Sequence, residues 1–222
     1  MNSVTKIRLL LPRFAMAGFI CIFGIHPRCT ASPLENITFA AFDTETTGFS
    51  PRSARIVEIA AVKFRGGNIL ESRSWLINPG IPIPESSRRV HGISDKMVAD
   101  APGFGAVFPE FIEFTEGAVL LAHNAGFDVR FLRAEIERAG LRPPANEVLD
   151  TLRLFRGWFP EAEAHNLRAL VEHLGVKAAS FHRALADASY LAEIFTRGVS
   201  ALPEQPSLKE LEESAGGAMT FK

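Results

Sequence analysis

The stretch ITFAAFDTETTG, residues 37–48, decides how this chain is read. Its opening residues, ITFAAFD (37–43), have the composition of a buried strand that ends at its first acid. In a strand, residues i and i+2 point to the same face. Asp43 and Glu45 therefore leave the strand's end on one side, where both carboxylates can reach one metal ion. Gly48 lets the chain turn away. Paired acids are common on exposed strands, where water satisfies them, but Phe-Ala-Ala-Phe before this pair makes mere solvation less natural. Hard divalent cations take oxygen ligands and prefer carboxylates.

Working outward, RIVEIAAVKF (55–64) and NILESRSWLI (68–77) are apolar and rich in branched residues, and Arg65-Gly66-Gly67 joins them as a hairpin would. PGIPIPESSRRVHGIS (79–94) reads as a loop leading into a short helix. GAVLLAHN (117–124) and PANEVLD (144–150) are two further strands. Helices fill the gaps: Val129, Leu132, Ile136 and Ala139 recur at helical spacing after Phe127, with Arg130, Arg133 and Glu137 on the wet side. Asn166 to Leu174 and His182 to Phe195 read as two more. A hairpin followed by alternating helices implies an α/β fold, a mixed sheet with helices on its faces.

At 222 residues the chain suits one full-sized domain. A formal net charge of −1 excludes the broad basic surface of a non-specific duplex binder. Any nucleic-acid contact must be local, through residues such as Arg52, Arg55, Arg88, Arg89 or Arg130, each of which alone reads as an ordinary solvated side chain. The two cysteines, Cys21 and Cys29, precede the body, so no structural disulfide is expected there and a reducing compartment suits it. Residues 1–35 have a basic start, an apolar stretch from Phe14 to Ile25 and a small-residue site at Thr30-Ala31-Ser32. That is the layout of a secretory signal, and the lack of acids before Glu35 also fits a transit peptide. The preferred reading is an over-extended start with a cytoplasmic protein; an exported or organellar protein is the alternative. Residues 36–200 form the expected domain, and 201–222, rich in Pro, Glu and Gly, a flexible tail.

Three more acidic or basic positions stand beside element ends. Asp128 lies two residues into a helix, where an acid also complements the helix dipole. Asp187 lies in a helix among Ala184, Ala186 and Ala188, which would let a metal or substrate approach closely. His182 sits at that helix's entry. Four converging carboxylates would repel, and at least one would hold its proton. Two divalent ions about 4 Å apart relieve that and clamp both oxygens of an in-line displacement at phosphorus. Histidine is largely neutral at mildly alkaline pH, so His182 can take the proton of an attacking water.

With these residues in order, the chain resembles the DnaQ-like, DEDDh group of 3′→5′ exonucleases, typified by the proofreading epsilon subunit of bacterial DNA polymerase III. FDTETTG resembles the first motif, LAHNAGFDVRFL the second and HRALADA the third; VHGIS at 90–94 is a lesser match. The resemblance covers roughly residues 37–197. It implies a ribonuclease H-like fold with a five-stranded mixed sheet, two Mg²⁺ or Mn²⁺ ions, and release of 5′-mononucleotides from DNA 3′ ends, single-stranded or frayed. It also implies that Asp43, Glu45, Asp128 and Asp187 are metal ligands and His182 the general base. Glu45 and the Thr46 backbone would hold the terminal 3′-OH, with Asp43, His91 and Asn124 also near substrate. Phe127 suits the core better than a base stack, and His123, His165 and His173 read as structural or surface residues.

The rivals are RNA 3′-end trimming of the ribonuclease T or oligoribonuclease type, and a module that binds nucleic-acid ends without cutting. Thr-Thr-Gly after Glu45 resembles the DNA-acting members, and no ligand position is lost. A polymerase or sliding-clamp contact rests only on Gln205-Pro206-Ser207-Leu208, which lacks the clamp peptide's terminal apolar pair.

Overall fold

Alternation along the first strand sorts the whole molecule into two layers around one sheet. The computed structural model describes residues 34–179 and 181–221. Five strands run β1 (Thr38–Thr46), β2 (Ile56–Arg65), β3 (Asn68–Leu76), β4 (Val119–Ala122) and β5 (Val148–Asp150). Their order in the sheet is β3-β2-β1-β4-β5, with β1, β2 and β3 antiparallel and β4 and β5 parallel to β1. This is the five-stranded mixed sheet the resemblance implied. Gly66 and Gly67, both at positive φ, make the tight two-residue turn between β2 and β3.

The helices among the described residues are α1 (Glu85–His91), α2 (Asp95–Val98), α3 (Phe104–Phe114), α4 (Gly126–Arg138), α5 (Thr151–Trp158), α6 (Leu167–His173), α7 (Ala184–Ala201) and α8 (Leu208–Ser214). Phe39 and Ala41 of β1 join Val62, Leu121 and the α7 residues Ala188, Leu191, Ala192 and Phe195 in one core. Ala40 and Phe42 join Phe108 and Phe111 of α3 and Phe131 and Leu132 of α4 in the other. Ala184, Ala188 and Ala192, four apart and all buried, bring α7 close to the sheet. At Gly198 a Cβ would stand 2.4 Å from Trp158, so only glycine lets α7 pass α5 there.

Several expectations change. α3 and α5 were not anticipated, because Gly105 and Pro109 interrupt α3 and α5 is only eight residues long. The tail is no loose end. Ser207 and Glu210 form a reciprocal capping box on α8, and Leu211, Ala215 and Phe221 are buried. Met219 pairs with Val148 on the outer edge of β5, and the Arg133 guanidinium holds the Thr220 carbonyl. Its polar composition hid three well-spaced apolar anchors. Ser207, in the stretch compared with a clamp peptide, is occupied as a helix cap. The leader reading and both cysteines lie outside the described residues, apart from Leu34 and Glu35 in a short 3-10 turn. No helix of the described residues is long and apolar enough to cross a membrane.

The packed tail makes a prediction. Leu211→Ala removes a buried side chain and should lower stability by about 2–4 kcal/mol in urea denaturation; a mobile tail would leave the midpoint unchanged.

Candidate active site

Four segments converge at the carboxyl ends of β1 and β4. Register pairing between those strands reaches only Ala41 and Leu121, so a crevice opens beyond it, where ligands of open α/β sheets bind. Asp43 and Glu45 share the parity of Phe39 and Ala41, and so face α7. There Asp187, in the first turn of α7, meets them: one carboxylate oxygen from each of the three lies within 4.8 Å of the others. Thr44 has the opposite parity and faces α4, where its hydroxyl donates to Asp128 Oδ1 at 2.6 Å. A register shift between Glu45 and Thr46, opposite β2, bends the strand's end away.

The second motif is held by a residue that sequence reading missed. Asn124 has a left-handed backbone, φ 61°. The Asp150 carboxylate accepts from the N–H groups of Asn124, Ala125 and Leu152, which ties that turn to the start of α5. His123 bridges the Thr151 hydroxyl and the His165 carbonyl, a structural role as expected of it. α4 then delivers Asp128, buried, into the crevice.

The third motif is fastened twice. The His182 N–H donates to Asp187 Oδ2 at 3.0 Å, while the His182 side chain is exposed. Arg183 caps α7, and its guanidinium makes a two-pronged contact with Glu58 of β2 at 2.9 and 3.2 Å. Glu58, paired in register with Glu45, also accepts from Ser74 and from the Ala184 N–H. A lone acid inside the apolar run Ile56–Ala61 was the available signal for Glu58.

Among the softer expectations, Asn124 stands at the crevice mouth, exposed. The Thr46 hydroxyl is turned back onto the Gly48 carbonyl. His91 is buried, and its Nδ1 accepts from the Ile93 N–H. Burial pushes its pKa down, and the Thr46 backbone, Glu58, Arg183 and His182 all lie near enough to affect it. Phe127 packs against the core and on Phe131. Arg88 and Arg89 pair with Glu85, and Arg55 donates to the Ala54 carbonyl; Arg52 and Arg130 are exposed.

The electrostatics are those of acids pressed together. Burial first, and then the charges of Asp128, Glu45 and Asp187, hold Asp43 well above the usual carboxylate range. Burial, with Asp187, Glu58 and Asp128, pushes Glu45 up to about 8. Burial raises Asp128 to about 7 against the opposing Thr44 hydroxyl, and burial also raises Asp187. Burial would raise Glu58 too, but hydrogen bonds from Arg183 and Ser74 bring it below its ordinary value. Asp187 Oδ1 is buried with no hydrogen-bond partner. An orphaned acceptor beside two crowded carboxylates fits a divalent cation, which would supply the missing charge.

Known proteins resemble this chain in sequence and in fold. The family model described as an exonuclease, of the RNase T type, matches residues 40–195. A PolC-type DNA polymerase III of Caldanaerobacter subterraneus is 42% identical over 193 residues, 86% of this chain and 14% of that protein. A DNA polymerase III subunit epsilon-like protein of Rhodobacter capsulatus is 45% identical over 176 residues, 77% of this chain and 25% of that one. The chain thus spans about a quarter or less of these relatives. Among solved structures, Exonuclease X in complex with 5′ overhanging duplex DNA superposes with a TM-score of 0.66 at 27% identity, covering 80% of this chain and 99% of that one. The nuclease domain of 3′hExo, a DEDDh family member bound to rAMP, shares the fold, with a TM-score of 0.66 at 19% identity over 80% of this chain and 98% of that one.

A pH dependence follows. Glu45 and Asp128 have folded-state pKa values above their unfolded ones, so the stability they contribute is complete below the ordinary carboxylate range and is lost as pH rises through about 7 to 8. In EDTA, the thermal midpoint should fall between pH 5 and pH 8. Added Mg²⁺ should raise it more at pH 8 than at pH 5. A flat profile, with or without Mg²⁺, would contradict this electrostatic account.

Proposed function

The chain belongs to the RNase T exonuclease family, and from that premise we propose that it removes nucleotides one at a time from the 3′ end of single-stranded or frayed DNA. The observation that carries the reading is the group Asp43, Glu45 and Asp187, its oxygens within 4.8 Å, with Asp128 completing the set from α4. Mg²⁺ or Mn²⁺ held there would neutralise the carboxylates, polarise the scissile phosphoryl group and favour ionisation of the attacking water.

The chain's own residues have distinct parts in this scheme. A water attacks the terminal phosphorus and gives its proton to the His182 imidazole, which is exposed and therefore free to reach it. The bond from phosphorus to the 3′ oxygen of the preceding nucleotide breaks, and that oxygen takes a proton from solvent. The products are a 5′-mononucleotide and a shortened strand ending in 3′-OH. Thr44 orients Asp128 by its hydrogen bond. Glu45 and the Thr46 backbone hold the terminal 3′-OH, and Asn124 flanks the strand at the crevice mouth. His91 lies near substrate in this scheme, its buried ring fixed by the Ile93 N–H. Arg52 and Arg130 are among the exposed cations available to phosphates, and a net charge of −1 suits a local contact and not a duplex-wide one. Cytoplasmic action is part of the proposal, and the cysteine-free body suits a reducing compartment.

The test uses the full chain with a 5′-labelled single-stranded DNA and its RNA counterpart, in Mg²⁺ and in EDTA. A ladder of shortened DNA is expected, lost in EDTA and lost with Asp187→Ala. His182→Ala should slow it by about 10²- to 10⁴-fold. Trimming of the RNA alone would move the assignment to RNA processing; binding of either strand without shortening would overturn the enzymatic reading.

A further inference from the structure

His182 occupies left-handed backbone, φ 62°, although it carries a Cβ. Such backbone is uncommon outside glycine, although histidine enters it more readily than most residues, and it persists where its surroundings over-determine it. Here two sets of contacts bracket one residue. On its own N–H side it donates to Asp187 Oδ2. Immediately after it, the Arg183 side chain and the Ala184 N–H both end on the same carboxylate, Glu58. Glu58 has little freedom of its own. It is 1% exposed, belongs to β2, an interior strand paired on both sides, and also accepts from Ser74 of β3.

We propose that Glu58 and Arg183 form a clamp that positions His182, so that the proton acceptor is aimed from the sheet and not from α7 alone. The inference rests on reading His182 as that acceptor. A planar guanidinium gripping a carboxylate by two prongs fixes orientation as well as distance, which a single hydrogen bond does not. The clamp is not needed to dock α7. That helix is already seated on β1 and β2 by Ala188, Leu191, Ala192 and Phe195, one turn and more beyond the clamp. What Glu58 adds falls only on residues 183 and 184, the neighbours of the strained position. The strand supplying Glu58 also pairs, at that residue, with Glu45. One rigid element therefore sets the spacing between an acid of the cluster and the base. Glu58 is a positioning residue, since nothing places it in contact with substrate.

The test combines Glu58→Gln and Arg183→Gln with His182→Ala in the full chain. Turnover on single-stranded DNA, DNA affinity and amide hydrogen exchange would all be measured. Glu58→Gln keeps the shape of the side chain and removes the charged fork. It should lower kcat by about 10- to 100-fold, by analogy with the range for residues that orient metal ligands, with KM changed by less than about 2-fold. In the His182→Ala background the same change should cost less than about a further 2-fold, because the residue being aimed is gone. Exchange should accelerate at residues 182–184 and stay unchanged over 188–200.

An equal loss in both backgrounds would overturn the clamp, since Glu58 would then be acting on something other than His182. Unchanged exchange at 182–184 would overturn it too. If Glu58→Gln does not fold, Arg183→Gln carries the test, its side chain being 43% exposed. A wild-type protein that shortens no strand would sink the exonuclease reading, while hydrogen exchange would still decide whether Glu58 holds this turn.

Discussion

Carboxylates crowded within 4.8 Å of one another in a partly desolvated crevice repel, and the rest of the molecule is arranged so that they stay. Burial holds Asp43, Glu45, Asp128 and Asp187 above the usual carboxylate range, and for Asp43 and Glu45 the charges of the neighbouring acids add to it. Each acid is attached to an element that has independent reasons to be where it is. Asp43 and Glu45 extend a strand whose earlier residues fill both cores, Asp187 begins a helix seated by small residues, and Asp128 begins a helix packed on the opposite face. The apolar layers hold the charges together, and the charges create the demand for cations. Structure and proposed chemistry meet in that conflict.

The polar residues around the site act on its turns. Two non-glycine residues of the described chain have positive φ, Asn124 and His182, and each follows or precedes an element that carries a site acid. Each turn is tied by a carboxylate from elsewhere in the sheet: Asp150 at the end of β5 for the first, Glu58 in β2 for the second. A strained turn held by a rigid strand is a way to keep a functional side chain exposed without letting it wander. Glu58, 1% exposed, is kept below its ordinary pKa because Arg183 and Ser74 satisfy it.

Much of this was legible in the sequence for a specific reason. Period-two alternation puts Asp43 and Glu45 on one face whatever the rest of the chain does, and the three motifs lie beside element ends that apolar patterning makes visible. The same logic shows why the supporting residues were not seen. Glu58, Asp150 and Thr44 act through partners 126, 26 and 84 residues away, and no local pattern announces such a contact. α3 was hidden because Gly105 and Pro109 break its helical signature, although Phe104, Val107, Phe108 and Phe111 keep the helical spacing. The tail was misjudged because composition counts residues, whereas packing needed only Leu211, Ala215 and Phe221 in the right places. His91 was near the site as expected, yet buried behind it, and distance along the sequence carries no information about depth.

The central claim is that the crowded acids are a metal site. Its most direct measurement is a crystal grown with Mn²⁺ and a deoxynucleoside 5′-monophosphate, with anomalous scattering recorded at the manganese edge. The account predicts Mn²⁺ between Asp43, Glu45 and Asp187, with a second ion on the Asp43 and Asp128 side and the nucleotide's phosphate against them. A nucleotide bound in the crevice with no manganese on those carboxylates would contradict it.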